Sequence, residues 1–220
     1  METTTARQAI LDRIRVRQRR DARLKPTEHR AAEADIANHL RGPQPALGDD
    51  MALRFAQQAL ALQTTLEHVA DWAAAPAAVA AYLRTGALPL AAAVWPELGH
   101  LPWAEAGLAV QLRRAHDADA VGITGCFCAV AETGSLVLAS GPQTPASVHL
   151  LPETHVALVP RSRILPTLED AFALLRAERG GVPRALNIVS GPSRTGDIEQ
   201  TIVLGAHGPY RVHVVIVDAA

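Results

Sequence analysis

The chain has 220 residues and a formal net charge of −1, and this length predicts one domain with an extension. Such a balanced charge argues against a nucleic-acid-binding surface. Hydrophobic residues make up 49% of the sequence and aromatic residues only 4%, so the core must consist mainly of Ala, Leu, Val and Ile. No stretch is long and apolar enough to span a bilayer, and the N-terminal segment lacks the apolar core of a signal peptide. We therefore expect a cytoplasmic protein without a membrane span.

The first part of the sequence predicts a helical arm. Residues 3–23 and 27–40 carry narrow apolar stripes at helical spacing among many arginines. Residues 42–50 are rich in Gly and Pro, which is typical of a linker. The predicted organisation is an N-terminal arm over residues 1–41, this linker, and an α/β domain over residues 51–220. The arm is either a solvated charged surface or a docking element for a partner subunit.

The remaining sequence alternates predicted helices and strands. One helix is capped by Asp49 or Asp50 and extends to about Trp72, and a second begins at Pro76 and ends at Gly86. The later elements are strands at residues 88–94, 108–112 and 120–124, a hairpin of residues 127–131 and 136–139, a strand at 156–159, a helix from Thr167 to Gly180, and strands at 186–189 and 212–217. This alternation predicts an α/β fold with an open, mostly parallel sheet flanked by helices. Ligands bind such sheets at the carboxyl ends of the strands. The polar stretch that begins at Ser190 follows a predicted strand, so we expect it at the carboxyl edge of the sheet.

The densest polar and glycine-rich stretch, residues 190–209, lies between two apolar runs that predict buried strands. Loops held by a rigid sheet are common ligand-binding positions. Arg194 offers a planar set of donors that suits a carboxylate. We predict an anion site in which this guanidinium is joined by three hydroxyl groups, those of Ser190, Ser193 and Thr195. The alternative is that Arg194 pairs with Asp197 and that the loop is only a brace. Gly191 and Gly196 allow the backbone of this stretch to turn sharply and to approach a ligand.

The second half of the same stretch predicts a short helix and a titratable turn. Asp197 is placed to cap a helix over residues 198–204 that ends at Gly205. His207 follows in a His-Gly-Pro turn, and an imidazole can titrate near neutral pH. Each of these residue types is also an ordinary turn or cap residue. Their concentration around one Arg and one His favours function.

Three groups of residues resemble the lactate-utilisation protein C family, the LUD domain. The first is Ser190-Gly-Pro-Ser-Arg-Thr-Gly-Asp-Ile-Glu199 with Leu204-Gly-Ala-His-Gly-Pro209, the second is Val121-Gly-Ile-Thr124 with Ala129-Val-Ala-Glu-Thr-Gly-Ser-Leu-Val137, and the third runs from His155-Val-Ala-Leu-Val159 to Leu168-Glu-Asp-Ala171. They occur in the family's order over about half of the chain. Gly196 and Ala206 replace the family's usual Ala and Val, and neither change removes a polar group.

The resemblance implies the fold of ribose-5-phosphate isomerases, sugar-phosphate deaminases and CoA transferases. It also raises Glu132, at the tip of the predicted hairpin, from a solvated turn residue to a site candidate. We predict three catalytic residues, which are Glu132, Asp197 and His207. The predicted ligand-binding residues are Thr133, Gly134, Ser190, Gly191, Ser193, Arg194, Thr195, Glu199 and Gly208, and the anion site is expected to face His207 and Glu132.

Oxidation of lactate requires an electron acceptor, and side chains alone do not accept a hydride. The chain has two cysteines, Cys126 and Cys128, whereas an iron–sulfur cluster ordinarily uses four thiolates. His207 and His213 lack a third metal ligand, so no metal is predicted. We therefore expect no cofactor in this chain. The resemblance implies iron–sulfur partner proteins that carry the cluster and act with this chain in converting L-lactate to pyruvate.

The leading hypothesis is a non-redox subunit of such a complex that binds a small carboxylate. One alternative is a stand-alone enzyme of the isomerase and CoA-transferase fold that uses Glu132 and His207 as acid and base. Another is a sensor of small carboxylates without any chemistry. The sequence leaves open whether the chain is catalytic by itself.

Overall fold

The computed structural model describes residues 3–18, 26–39, 41–198 and 201–219, and it divides into two units, Met1–Gln44 and Pro45–Ala220. The first unit contains helices α1 (Thr3–Arg17) and α2 (Pro26–Asn38). The two predicted helices therefore exist, although α1 ends earlier than the predicted residue 23. Part of each predicted helix, residues 19–23 and residue 40, lies outside the described residues.

The second unit is an α/β domain. Its helices are α3 (Met51–Ala61), α4 (Ala75–Thr85), α5 (Ser147–Leu150) and α6 (Leu168–Arg179). Its strands are β1 (Thr65–Val69), β2 (Ala91–Val94), β3 (Ala109–Leu112), β4 (Val121–Thr124), β5 (Cys128–Val130), β6 (Ser135–Ala139), β7 (Thr154–Pro160), β8 (Ile164–Leu165), β9 (Leu186–Val189), β10 (Arg194–Ile198), β11 (Thr201–Leu204) and β12 (Arg211–Val217). None of the described helices is long and apolar enough to cross a membrane.

Six strands form a fully parallel sheet in the order β1-β12-β7-β4-β2-β3. Strands β7 and β12 lie inside this sheet, and their side chains are buried almost throughout. The predicted parallel sheet is thus confirmed, and its core consists mainly of Val, Ala, Leu and Ile as the composition requires. A smaller sheet has the order β8-β5-β6-β9, and β10 and β11 form a separate hairpin.

Local capping chemistry was predicted well. The Asp50 carboxylate accepts hydrogen bonds from the backbone N–H groups of Ala52 and Leu53, each at 3.0 Å, and so begins α3. Helix α6 begins with a reciprocal pair of hydrogen bonds between Thr167 and Asp170 and ends at Gly180. These contacts satisfy backbone groups that a helix end would otherwise leave without partners.

Two predictions about helices are wrong, one in the end of a helix and one in its existence. The helix that was expected to reach Trp72 ends at Ala61, and Gln63 has a φ of 67°, which turns the chain into β1. The helix expected over residues 198–204, with Asp197 as its cap, is instead the antiparallel hairpin of β10 and β11. Three consecutive β-branched residues, residues 201–203, explain the second difference, because such side chains favour strands.

Candidate functional site

A cleft of about 460 Å³ opens at the polar stretch that the sequence singled out. It brings together six predicted site residues: Ser190, Gly191, Ser193, Arg194, His207 and Gly208. Leu62 and His149, which were not predicted, also line it. We call this cavity the Ser190 cleft.

The Ser190 cleft lies at the amino ends of the parallel strands. Leu62 precedes β1, His149 precedes β7, and Pro209 precedes β12. The expectation that Ser190 lies at the carboxyl edge of the parallel sheet is therefore wrong. The reason is that β9, which leads into Ser190, pairs antiparallel with β6 in the smaller sheet rather than joining the parallel one.

Backbone contacts fix the shape of the cleft. Gly191 has a φ of 79°, and a Cβ at this position would overlap the carbonyl oxygen of Leu62. The backbone N–H of Ser193 donates to the carbonyl of Pro209 at 2.8 Å, and Gly205 N–H donates to the carbonyl of Ser193 at 2.9 Å. The Ser190 loop and the His-Gly-Pro turn are therefore held side by side.

Arg194 braces the cleft wall. Its Nη2 donates to the carbonyl of Leu62 at 2.9 Å and to Oε1 of Gln63 at 2.7 Å. These contacts join the loop to the chain between α3 and β1. The alternative of a brace between Arg194 and Asp197 depends on a side chain outside those that the structure describes, so it stays a prediction.

A chain of hydroxyl groups connects the cleft to the β5–β6 hairpin. Thr133 Oγ1 and Ser135 Oγ lie 2.7 Å apart, and Ser135 Oγ and Ser190 Oγ lie 2.6 Å apart. Gly134 has a φ of 65° in the turn, and a Cβ there would come within 2.5 Å of the backbone nitrogen of Ala59. Thr133 and Gly134 thus support the cleft from outside its lining.

The other predicted site residues are placed differently. Glu132 is half-buried at the hairpin, where its backbone N–H donates to the carbonyl of Pro166 at 3.0 Å, and it is not part of the cleft lining with His207. Thr195 is half-buried and pairs with Val203 in the β10–β11 hairpin. Asp197 belongs to β10 and so caps no helix. Glu199 lies outside the described residues. An acid–base pair of Glu132 and His207 is therefore not assembled at the cleft.

His149 is the cleft residue that the sequence analysis missed. It is 1% exposed, and its Nε2 lies 2.9 Å from Nδ2 of Asn187. Because the amide nitrogen donates, Nε2 accepts and the proton of the neutral ring belongs on Nδ1. Among the described residues Nδ1 has no hydrogen-bond partner. His149 lies in the four-residue helix α5, which carries no sequence motif, so the sequence did not indicate a role for it.

A second buried histidine stands behind the first. His155 Nε2 lies 2.8 Å from the hydroxyl of Thr124, and the ring centroids of His155 and His149 are 5.9 Å apart. Burial lowers the pKa of His149 to about 4, and burial together with the neighbouring His149 lowers the pKa of His155 to about 3. Both rings are therefore neutral at neutral pH, and His149 lines the cleft as a neutral imidazole.

The two cysteines are free thiols at the β4–β5 connection, away from the Ser190 cleft. Burial raises the pKa of both thiols, that of Cys128 to about 12. Metal binding requires the thiolate, so this environment disfavours a metal or cluster. In the part of the chain that the structure describes, no three His, Cys, Asp or Glu side chains are grouped to hold a metal ion.

Comparison with known proteins gives a consistent family relationship. The model of the LUD domain matches residues 99–217. Lactate utilization protein C of Bacillus licheniformis is 37% identical over 130 residues, which is 56% of this chain and 53% of that protein. Lactate utilization protein C of Geobacillus kaustophilus is 38% identical over 100 residues, which is 44% of this chain and 42% of that protein. The chain thus spans about half the length of the curated relatives it matches.

The fold also has a counterpart among solved structures. A crystal structure of a DUF162 family protein from Deinococcus radiodurans superposes with a TM-score of 0.58 at 25% identity, covering 76% of this chain and 96% of that one.

Proposed function

Because this chain belongs to the LUD domain family, we propose that it is a non-redox component of an L-lactate utilisation system and binds a small carboxylate in the Ser190 cleft. The relatives named lactate utilization protein C support the metabolic role. The carboxylate is the part of the proposal that rests on the geometry of the cleft.

The observation that carries the carboxylate proposal is the grouping of polar donors in one apolar-walled cavity. Ser190, Ser193, His207 and His149 line the same space, and each carries a hydroxyl or an imidazole. A few convergent polar groups in an otherwise apolar cavity are typical of small-molecule sites. The donors suit the oxygens of a carboxylate and of its 2-substituent, while Arg194 holds the wall in place.

The electrons of lactate oxidation need a separate acceptor, since no side chain accepts a hydride. We assign this role to iron–sulfur partner proteins, because two cysteines with raised pKa values do not match the four thiolates that a cluster ordinarily uses. The chain would then bind or present the carboxylate while a partner performs the redox step. Affinity capture from cells grown on lactate, followed by iron analysis, should recover an iron-containing protein with this chain. Iron found at stoichiometric amounts in the isolated chain would contradict the assignment.

The cleft is tested by calorimetric titration of the full chain with L-lactate and pyruvate. His207→Ala should weaken binding about tenfold, which is the usual effect of losing one hydrogen bond of about 1.4 kcal/mol. His68→Ala is the matched control, since His68 is exposed and lies near the carboxyl end of β1, whereas the cleft lies at the amino ends of the strands. Equal affinities for the wild type and His207→Ala would contradict binding of the carboxylate in the Ser190 cleft.

A further inference from the structure

The connections of the parallel sheet reverse direction between two neighbouring strands. From β2 the chain proceeds outward to β3, at one edge of the sheet. It then returns to β4, on the other side of β2, and continues away from it through β7 to β12. In open parallel sheets, the crevice outside the carboxyl ends of the strands at such a reversal is the usual position of a ligand. This position lies at the opposite edge of the sheet from the Ser190 cleft.

A cavity of about 150 Å³ occupies this position. Trp95 and Glu97 follow β2, Cys126 and Phe127 follow β4, and Arg163 follows β7, and all of them line the cavity. Arg179 of α6 completes the wall. We call this cavity the switch-point crevice. Its volume equals about five water molecules in the liquid, so a ligand of only a few non-hydrogen atoms fits.

The two arginines of the crevice differ in the hydrogen bonds that they make. Arg163 donates to both carboxylate oxygens of Glu178, at 2.6 and 2.9 Å, and its Nε donates to the carbonyl of Phe127 at 2.9 Å. Arg179 lies over the ring of Phe127, with its guanidinium carbon 5.3 Å from the centroid, and donates no hydrogen bond to any described residue. Arg179 is therefore the guanidinium that remains available to an anion.

Glu97 faces Arg179 from the other wall. The residue is exposed overall, but its Oε1 turns inward and lies 3.1 Å from the point where a Cβ at Gly125 would stand. Burial raises the pKa of Glu97, and the nearby charges of Arg179 and His100 act in the opposite direction. Within the described residues no ion pair joins the Glu97 carboxylate to Arg179, although both border the same cavity. The two opposite charges thus leave room for a ligand between them.

We propose that the switch-point crevice binds a short 2-hydroxycarboxylate, with its carboxylate on Arg179 and its 2-hydroxyl donating to Glu97. The rings of Trp95 and Phe127 provide an apolar wall for the short carbon chain. A 2-oxo acid has no proton to donate and turns its oxo oxygen toward an ionised carboxylate, which repels it. The crevice should therefore prefer the 2-hydroxy acid over the 2-oxo acid of the same length. This ligand class overlaps with that of the proposed function, but the residues are different, so each proposal can fail alone.

The test uses the full chain, with L-lactate, pyruvate and L-alanine as probes, and follows calorimetric heat together with tryptophan fluorescence, since Trp95 lines the crevice. We expect L-lactate to bind more tightly than pyruvate at neutral pH. Arg179→Gln should weaken L-lactate binding by about tenfold to hundredfold, the range for a charge-assisted hydrogen bond. Arg176→Gln, on the exposed surface of the same helix, is the matched control and should leave the affinity unchanged.

A second variant tests the role of Glu97 independently. Glu97→Gln can donate to an oxo oxygen as well as accept from a hydroxyl, so it should reduce or abolish the preference for L-lactate over pyruvate. The proposal is overturned if Arg179→Gln shows the same tryptophan fluorescence response to L-lactate as the wild type, if pyruvate gives this response in the wild type at the same concentrations as L-lactate, or if L-alanine gives it at the lowest concentrations, which would assign the crevice to a zwitterion. Binding that is weakened by His207→Ala but not by Arg179→Gln would place the ligand in the Ser190 cleft alone.

Discussion

At the scale of single residues, two buried histidines make the stability of the protein depend on pH. The folded-state pKa of His149 is about 4 and that of His155 about 3, both below the ordinary value of about 6.5. Below about pH 6.5 the unfolded chain takes up protons that the folded chain does not, so the free energy of unfolding falls as the pH drops toward 4. His149 alone should contribute about 3 kcal/mol to this loss.

The measurement is urea unfolding at several pH values between about 7.5 and 4. The variant His149→Gln should show a clearly smaller fall in the free energy of unfolding than the wild type over this range, because Gln does not titrate. His116→Gln is a suitable control, since the His116 side chain is exposed rather than packed in the core. An identical pH profile for the wild type and His149→Gln would contradict the assignment of a depressed pKa.

Arg194 is expected to contribute to the stability of the folded protein. Its hydrogen bonds to Leu62 and Gln63 attach the loop to the end of α3, and the side chain is exposed, so solvent weakens them. Arg194→Ala should lower the free energy of unfolding by about 1 kcal/mol, as measured by urea unfolding. Arg114→Ala, at an exposed position outside the cleft, should have almost no effect. A loss of carboxylate affinity without any loss of stability would instead restore the predicted role of Arg194 as an anion ligand.

At the scale of elements, the β5–β6 hairpin packs closely on α3 through its turn. Gly134 and Gly180 have nearly equal positive φ values, 65° and 67°, but only Gly134 faces neighbouring backbone atoms. Gly180→Ala should therefore cost only the backbone term of about 1–2 kcal/mol. Gly134→Ala should cost at least about 1 kcal/mol more, because its Cβ would be forced against α3. Thermal unfolding of the two variants measures the difference, and equal losses would show that the contact with α3 is readily relieved.

The helix ends that the sequence predicted correctly are those determined by local chemistry. Asp50, Thr167 with Asp170, and Gly180 set helix ends through contacts within a few residues. Strand β1 was missed because its conformation depends on pairing with β12, which is distant in the sequence. The β10–β11 hairpin was missed because Asp197 with Gln200 three residues later fits a helix start as well as a turn. The β-branched residues 201–203 favour the strand that the structure shows.

The candidate site shows the same difference between residues placed by local sequence and residues placed by tertiary structure. Six of the predicted residues meet in the Ser190 cleft because they lie on one continuous loop or on the turn that leads into β12. Glu132 was expected there on the basis of a motif, but its distance from His207 depends on how the smaller sheet packs. His149 was missed for the complementary reason, since only tertiary structure brings α5 to the cleft.

At the scale of the whole molecule, the core belongs to the second unit. Among the side chains that the structure describes, every buried hydrophobic one lies at residue 52 or later. A chain that begins at residue 45 should therefore retain a cooperative thermal transition within a few degrees of the full-length protein. Differential scanning calorimetry of both chains provides the measurement. A broad, non-cooperative transition in the shortened chain would mean that residues 1–44 contribute to the core.

Strand β12 also determines when the parallel sheet can be completed during synthesis. It follows the other strands along the chain, yet it lies between β1 and β7, and its His213 contacts Thr65 across 148 residues of sequence. On the ribosome, β1 emerges early and must wait for a partner that is made much later. Contacts of such long range slow folding, and unpaired strand edges promote aggregation. Nascent chains that stop before residue 211 should therefore be substrates for chaperones and proteases rather than partly active protein.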